Sequence, residues 1–217
     1  PIGFWTLFLF AGLGAPAALL GGPIPIWLQS VGVVASVLGI VPVVVVAINF
    51  FSTLSVDGGW GRSWNSTTLR FVAVGIVSFL LFGILAAVFS TRDLSATLAF
   101  TSFAEGQVQL LTYGASTMIL FGASYFILPR LTGSLWPSTA LVHVHFWSAF
   151  LGLLLAVGAA LAGGWQAGHQ PSAPSTPWAL VGSVAAFLLL VGHVAFALNA
   201  FGMILSSTTP TSDGRSD

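Results

Sequence analysis

Charge is nearly absent from this chain: 5% of its 217 residues are ionic, where a soluble domain carries about 25%. Lysine is missing altogether, and five arginines balance five carboxylates to a net charge of zero. So few ions cannot cover a water-facing surface. A neutral balance also gives no electrostatic footprint for nucleic acid or for a polybasic helix on a membrane surface. Cysteine is absent too, which excludes disulfides, thiolate metal sites, iron–sulfur ligation and cysteine nucleophiles together. No carboxylate pair, phosphate loop or Ser–His–Asp set is visible. No basic stretch precedes the first apolar run, so no secretory signal peptide is expected. The chain starts at Pro1 rather than methionine, which leaves room for a missing first part.

What is present is apolar. Hydrophobic residues make up 56% of the chain, and mean hydropathy is +1.00. Six apolar segments stand out, at about 3–20, 26–54, 70–90, 106–128, 138–163 and 177–206. About 20 apolar residues cross a bilayer as a helix. The first segment is short for that, and the second is long enough to tilt. Alternating ten-residue stretches that would signal a barrel are missing, and helices are the remaining way to satisfy a backbone in lipid. The expected fold is an all-α integral membrane protein: a six-transmembrane-helix bundle over 1–206, with a polar, disordered tail over 207–217.

Turn chemistry separates the segments: Gly21-Gly22-Pro23, Asp57-Gly58-Gly59, Thr91-Arg92-Asp93, Pro129 to Gly133, and Gly168 to Pro177. Pro42 lies inside the second segment and should kink it. Gly152, Gly158, Gly163 and Gly182 would permit close helix approach. Trp5, Trp27, Trp60, Trp64, Trp136, Trp165 and Trp178 stand mostly near helix ends, as an interfacial belt would. Arg62, Arg70, Arg130 and Arg215 fall on one side of the expected topology and Arg92 on the other. That asymmetry puts both termini on the cytoplasmic side. The expected location is the bacterial inner membrane.

Few residues could carry chemistry. His143 and His145 begin the fifth segment, His193 lies deep in the sixth, and His169 falls in a loop. A haem b would need imidazoles on facing helices at matching depth. The sequence places His145 and His193 at different depths, so His143, His145 and His193 are weak haem candidates beside the plainer reading of hydrogen-bonded packing. Asn49, Gln29 and Asn199 are expected to bond across helices. Glu105 is a hydrated boundary carboxylate or a proton site. The least expected pair is Gln107 and Gln109, two amides two residues apart where the fourth segment begins.

An ordered set of local motifs resembles the second half of subunit I of the haem–copper oxidases, closest to the cbb3-type cytochrome c oxidases and their nitric oxide reductase relatives. The pieces are Phe4-Trp5, GAP at 14–16, PIWLQSVG at 25–32, AINF at 47–50, TLRF at 68–71, FTSFAEGQVQ at 100–109, YG at 113–114, YFILPRLTG at 125–133, HFW at 145–147, AGGWQ at 162–166, and Asn199. They keep family order and spacing over nearly the whole chain. The resemblance implies that the six segments match helices seven to twelve of a twelve-helix subunit. It also implies that Gln107 and Gln109 stand where the tenth helix carries a His-x-His pair. Residues i and i+2 of an α-helix point about 200° apart, so one imidazole there serves the active-site haem and the other the electron-donating haem. By the same resemblance the copper ligands fall at Ala17 and Ala18, and a further family histidine at Ser102.

Alanine has no donor atom, and an amide is a poor ligand beside imidazole. The substitutions together remove the reaction centre. The leading expectation is therefore a catalytically degenerate subunit I-like protein, with no catalytic residues, no metal and no cofactor. It would act as a structural or accessory subunit of a larger respiratory or electron-transfer complex. Its expected partners are other membrane subunits, a separate N-terminal half, and lipid or quinone in the vacated space. Two alternatives stand beside it. One is a haem-binding electron-transfer or oxygen/nitric oxide reductase subunit, with haem b ligands supplied by another chain. The other is a proton- or ion-translocating subunit that uses Glu105.

Overall fold

A computed structural model describes residues 2–14, 23, 25–56, 61 and 64–208. The chain runs through α1 (Ile2–Gly14), α2 (Ile26–Leu38), α3 (Ile40–Val56), α4 (Thr67–Phe89), α5 (Arg92–Leu98) and α6 (Ser102–Gln109). A π-helical stretch, Leu110–Thr117, joins α6 to α7 (Met118–Thr132), and α8 (Thr139–His169) and α9 (Thr176–Thr208) follow. Among the described residues there is no strand.

Five helical spans are long and apolar enough to cross a membrane: Ile26–Ser55, Thr67–Phe89, Ser102–Thr132, Thr139–His169 and Thr176–Leu205. The first expected span differs, because α1 is a shorter apolar helix of thirteen residues and positions 15–22 lie outside the described residues. Short α5 was not anticipated. Its seven residues carry too little apolar periodicity to announce themselves, yet Ser95 and Leu98 are buried. The last helix runs through Thr208, two residues into the expected tail; the remainder of that tail is outside the described residues.

Pro42 acts one turn upstream of itself. Its ring excludes the carbonyl four residues back and it offers no N–H. That carbonyl is Leu38's, and the break follows it at Gly39, between α2 and α3. Pro42 then occupies the first turn of α3, where a missing donor costs nothing. At the other end of the bundle, α7 closes on Gly133 in the left-handed region (φ 67°), a conformation glycine adopts without a Cβ penalty.

In lipid, helices associate through close packing and polar bonds rather than by escaping water. The tightest approach brings α6 against α8: a Cβ at Gly164 would collide with the backbone of Phe103. Among the glycines singled out for close approach, Gly152 meets the Leu189 side chain and Gly163 meets Trp178. Gly158 and Gly182, by contrast, have nothing within 4 Å of an added Cβ, so they do not serve close packing. Phe71, Met118, Phe146 and Ala149 form the fully buried centre where α4, α7 and α8 meet. Along α9, Phe187, Leu190, Val194, Leu198 and Phe201 face outward, as a lipid-covered helix requires.

Polar bonds fix the ends. Asn199 on α9 clamps Ser138, the N-cap of α8: its Oδ1 accepts from Ser138 N (3.0 Å) and its Nδ2 donates to Ser138 O (2.9 Å). Trp178 Nε1 donates to Gln166 Oε1 (2.6 Å) across the α8–α9 connection. Asn49, also expected to bond across helices, is exposed on α3. Arg70 stands at the expected start of its span but is not exposed there. It lies in the first turn of α4, buried, with its guanidinium 5.1 Å from the centre of the Phe146 ring. His169 likewise belongs to the last turn of α8 rather than to a loop, stacked on Trp165 at 4.3 Å.

Candidate functional site: two cavities on either side of one helix

The opening turns of the fourth span are the polar part of the bundle. Thr101 caps α6 by accepting from Phe103 N (3.2 Å), and Ser102 Oγ donates to Ala160 O on α8 (3.0 Å). These bonds, with the glycine contact at Gly164, set the rotation of α6. Ser102, at the further family histidine position, is thus spent on holding α6 to α8.

That rotation sends the two glutamines to opposite sides. Gln109 lines a cavity of about 590 Å³ between α6, α8 and α9, together with Glu105, Tyr113, Ala156, Gly163 and Trp178. Gln107 lines a second cavity, of about 640 Å³, walled by Phe10 of α1, Val43 of α3, Phe82 of α4, Leu98 of α5 and Phe103 of α6. Helix α6 is the partition between them. Gln107 Nε2, Gln109 Oε1 and Tyr113 Oη are buried and meet no hydrogen-bond partner among the described residues. Ala17 and Ala18 lie outside the described residues.

The π-helical stretch begins directly after Gln109. Ser116 Oγ and Thr117 Oγ1 each donate to the carbonyl five residues back, on Leu111 and Thr112 (3.0 and 2.9 Å). Such stretches are rare and concentrate at functional sites. Here the stretch lies between Gln109 and the core residues of α7.

A second polar group lies further along α7. His145 is fully buried; its Nδ1 stands 2.9 Å from Tyr125 Oη, and its Nε2 has no partner among the described residues. The ring centres of His145 and His193 are 6.3 Å apart, which corrects the expectation that their depths do not match. The residues are on antiparallel helices counted from opposite ends, and sequence offsets alone misjudge where such helices cross. His143 faces outward and shares its Nδ1 with Thr139 O (2.8 Å).

Neither group of residues fits a haem. Two imidazoles sharing a haem iron need a flat slot between their rings. The two rings are instead packed in aromatics: Phe121 lies against both, its ring centre 4.4 Å from His145 and 5.5 Å from His193, and Phe196 lies 5.2 Å from His145. At the two family haem-ligand positions the side chains are amides, whose oxygen is a weak ligand and whose nitrogen is none. No cluster of three His, Cys, Asp or Glu that could hold a metal exists among the described residues. Chemically, the arrangement can bind through hydrogen bonds and apolar contact.

Tyr113, Tyr125 and Trp178 were not singled out for these roles from sequence. The signal was available for the first two. The chain has only two tyrosines, both in the fourth span, and Tyr113 follows Gln109 by one helical turn.

Comparison with known proteins places this geometry. The family profile described as cytochrome c and quinol oxidase polypeptide I matches residues 2–191. The cbb3-type cytochrome c oxidase subunit CcoN1 of Stutzerimonas stutzeri is 29% identical over 156 residues, covering 70% of this chain and 32% of that protein. Cytochrome c oxidase subunit 1 of Rhodobacter capsulatus is 31% identical over 153 residues, covering 70% and 28%. A solved haem–copper terminal oxidase dimer shares the fold, with a TM-score of 0.77 at 16% identity, over 99% of this chain and 43% of that one. The chain thus spans about a third of the length of the curated relatives it matches. It belongs to the cytochrome c and quinol oxidase polypeptide I family.

Proposed function

We propose that this chain is a catalytically degenerate member of its family, serving as a structural or accessory membrane subunit of a larger respiratory or electron-transfer complex. The observation that carries the reading is the pair of amides at Gln107 and Gln109, each at the wall of its own cavity with an unpaired buried atom. A haem held at either position would need an imidazole or another strong donor. The bundle survives without one because its helices are tied by glycine contacts and by bonds such as Asn199 to Ser138. Its natural partners are other membrane subunits of that complex. The arginine distribution supports an inner-membrane protein with its C-terminus in the cytoplasm.

Optical spectra of the purified protein, oxidised and dithionite-reduced, test the cofactor part, with copper measured on the same sample. The expected result is no haem band and no copper. Reduced-haem bands that stay with this chain after its partners are stripped would overturn the reading and return electron transfer to the front. Deletion of the chain tests the accessory part. It should lower the assembled amount of the complex it co-purifies with, and unchanged assembly would reject the role.

A further inference from the structure

The cavity between α1, α3, α4, α5 and α6 is long and graded in polarity. Its α4 wall is a single stripe: Phe79, Phe82, Gly83, Ala86, Phe89 and Ser90. At 1.5 Å per residue that stripe runs about 16 Å, close to half of the roughly 30 Å hydrocarbon core of a bilayer. One end is walled by Leu7, Val43, Phe79 and Leu111, and the other carries Ser90 and Ser95. Ser90 Oγ is spent on Ala87 O (2.9 Å), and Ser36, between the ends, donates to Gly14 O (3.4 Å). Ser95 is 8% exposed, and its hydroxyl makes no such bond among the described residues. Gln107 Nε2 is buried beneath the wall and takes no part. Leu7 of α1 is 40% exposed, so α1 does not seal the side of the cavity.

Charge stands at the polar end. Arg92 lies three residues before Ser95, on the same face of α5. Its Nη2 donates to Ser30 Oγ of α2 (2.5 Å), which holds the guanidinium against the bundle at this end. A guanidinium has five N–H donors, so the others remain for an anion. Asp93, exposed beside it, brings a carboxylate. The two charges sum to zero, which suits a head group that carries both signs. An apolar slot one leaflet deep, a free hydroxyl at its polar end and two opposite charges above that hydroxyl describe an amphiphile.

We infer that this cavity holds one acyl chain of a zwitterionic, amine-bearing phospholipid, its phosphodiester on Arg92, its ammonium toward Asp93 and a glycerol ester on the Ser95 hydroxyl. The lipid supplies packing that the walls leave out and joins α1 to α4. The site rests on the reading above, that no haem stands beside Gln107.

The test uses the protein purified from its own membranes with its partners, delipidated in detergent and titrated with short-chain phosphatidylethanolamine under native mass spectrometry. Lipid bound to the partners is common to parent and variants, so the difference between them counts this site. The parent should bind one lipid more than Arg92→Gln, whose affinity at the site falls at least about tenfold. Ala86→Phe, which fills the slot, should lose the same lipid. Ala179→Phe fills the other cavity and should keep it. Arg92→Gln alters an exposed side chain, so the test does not depend on Ala86→Phe folding well. A diacylglycerol with the same chains and no phosphate, and phosphatidylglycerol with no ammonium, should each bind at least about tenfold more weakly. Equal binding by either lipid or by Arg92→Gln overturns the assignment. Competition by glycerophosphoethanolamine, which has the head and no chains, overturns it too, because the acyl slot is then idle. Haem bands in the same sample overturn the scaffold reading and this one together. A haem-free protein with no lipid difference between parent and variants overturns only this one.

Discussion

Tyr125 of α7 and His145 of α8 meet through one buried hydrogen bond of 2.9 Å, walled by Phe71, Phe121 and Phe196. It is a polar tie between two helices where nothing else polar competes for either group. Tyr125→Phe would leave His145 with both ring nitrogens unpartnered. The expected loss is about 1 kcal/mol, near the measured range for inter-helix bonds in membranes. Thermal unfolding in detergent checks it, and an unchanged midpoint would show that the bond is idle.

The Asn199 clamp on Ser138 satisfies an amide and a helix N-cap at once. Asn199→Leu keeps the volume and removes both bonds, leaving Ser138 N to find another partner while Ser138 O keeps its bond from Val142 N (3.3 Å). A destabilisation of about 1–3 kcal/mol is expected, read as a lower unfolding midpoint.

Two glycines on α8 separate close approach from composition. Gly164→Ala forces a methyl group into the Phe103 backbone and should cost about 1–3 kcal/mol through displacement of α6. Gly158→Ala meets nothing within 4 Å and should be neutral or slightly stabilising through helix propensity. The difference between the two midpoints is the measurement. Equal midpoints would mean that α6 does not lie as close to α8 as described.

Glu105 is the one carboxylate at the mouth of the α8–α9 cavity. In liposomes under a pH gradient, Glu105→Gln should leave proton flux unchanged. A loss of flux would revive the proton-translocating alternative, in which this side chain is the entrance.

Much of the bundle was legible from hydropathy alone, because 5% charge leaves few other solutions. The five long spans fall within a few residues of their expected bounds, and the α2–α3 break is where a proline one turn downstream would put it. The opposed directions of Gln107 and Gln109 follow from helical geometry. What escaped was whatever depends on how helices cross. The approach of His145 to His193 needs the relative height of α8 and α9, which their separation in sequence does not carry. Whether Gly163 or Gly158 meets a neighbour depends on a rotation of less than one turn. Arg70 counted as an interface charge because arginine marks membrane boundaries on average, and only packing against Phe146 shows that its guanidinium is buried.

The π-helical stretch carries a further implication for how α6 and α7 move against each other. A helix with wider turns between two ordinary ones works as a swivel: gaining or losing one residue's worth of winding would turn α6 by about 100° relative to α7. The Gly164 contact and the Ser102 bond pin α6 on one side of the swivel, and Phe121 and Tyr125, packed on Phe71 and His145, pin α7 on the other. Tyr113 sits on the swivel itself. Because both ends are held, tightening the stretch by one residue would have to break one anchor or the other, so the packing on either side fixes the winding that sets Tyr113 relative to Gln109.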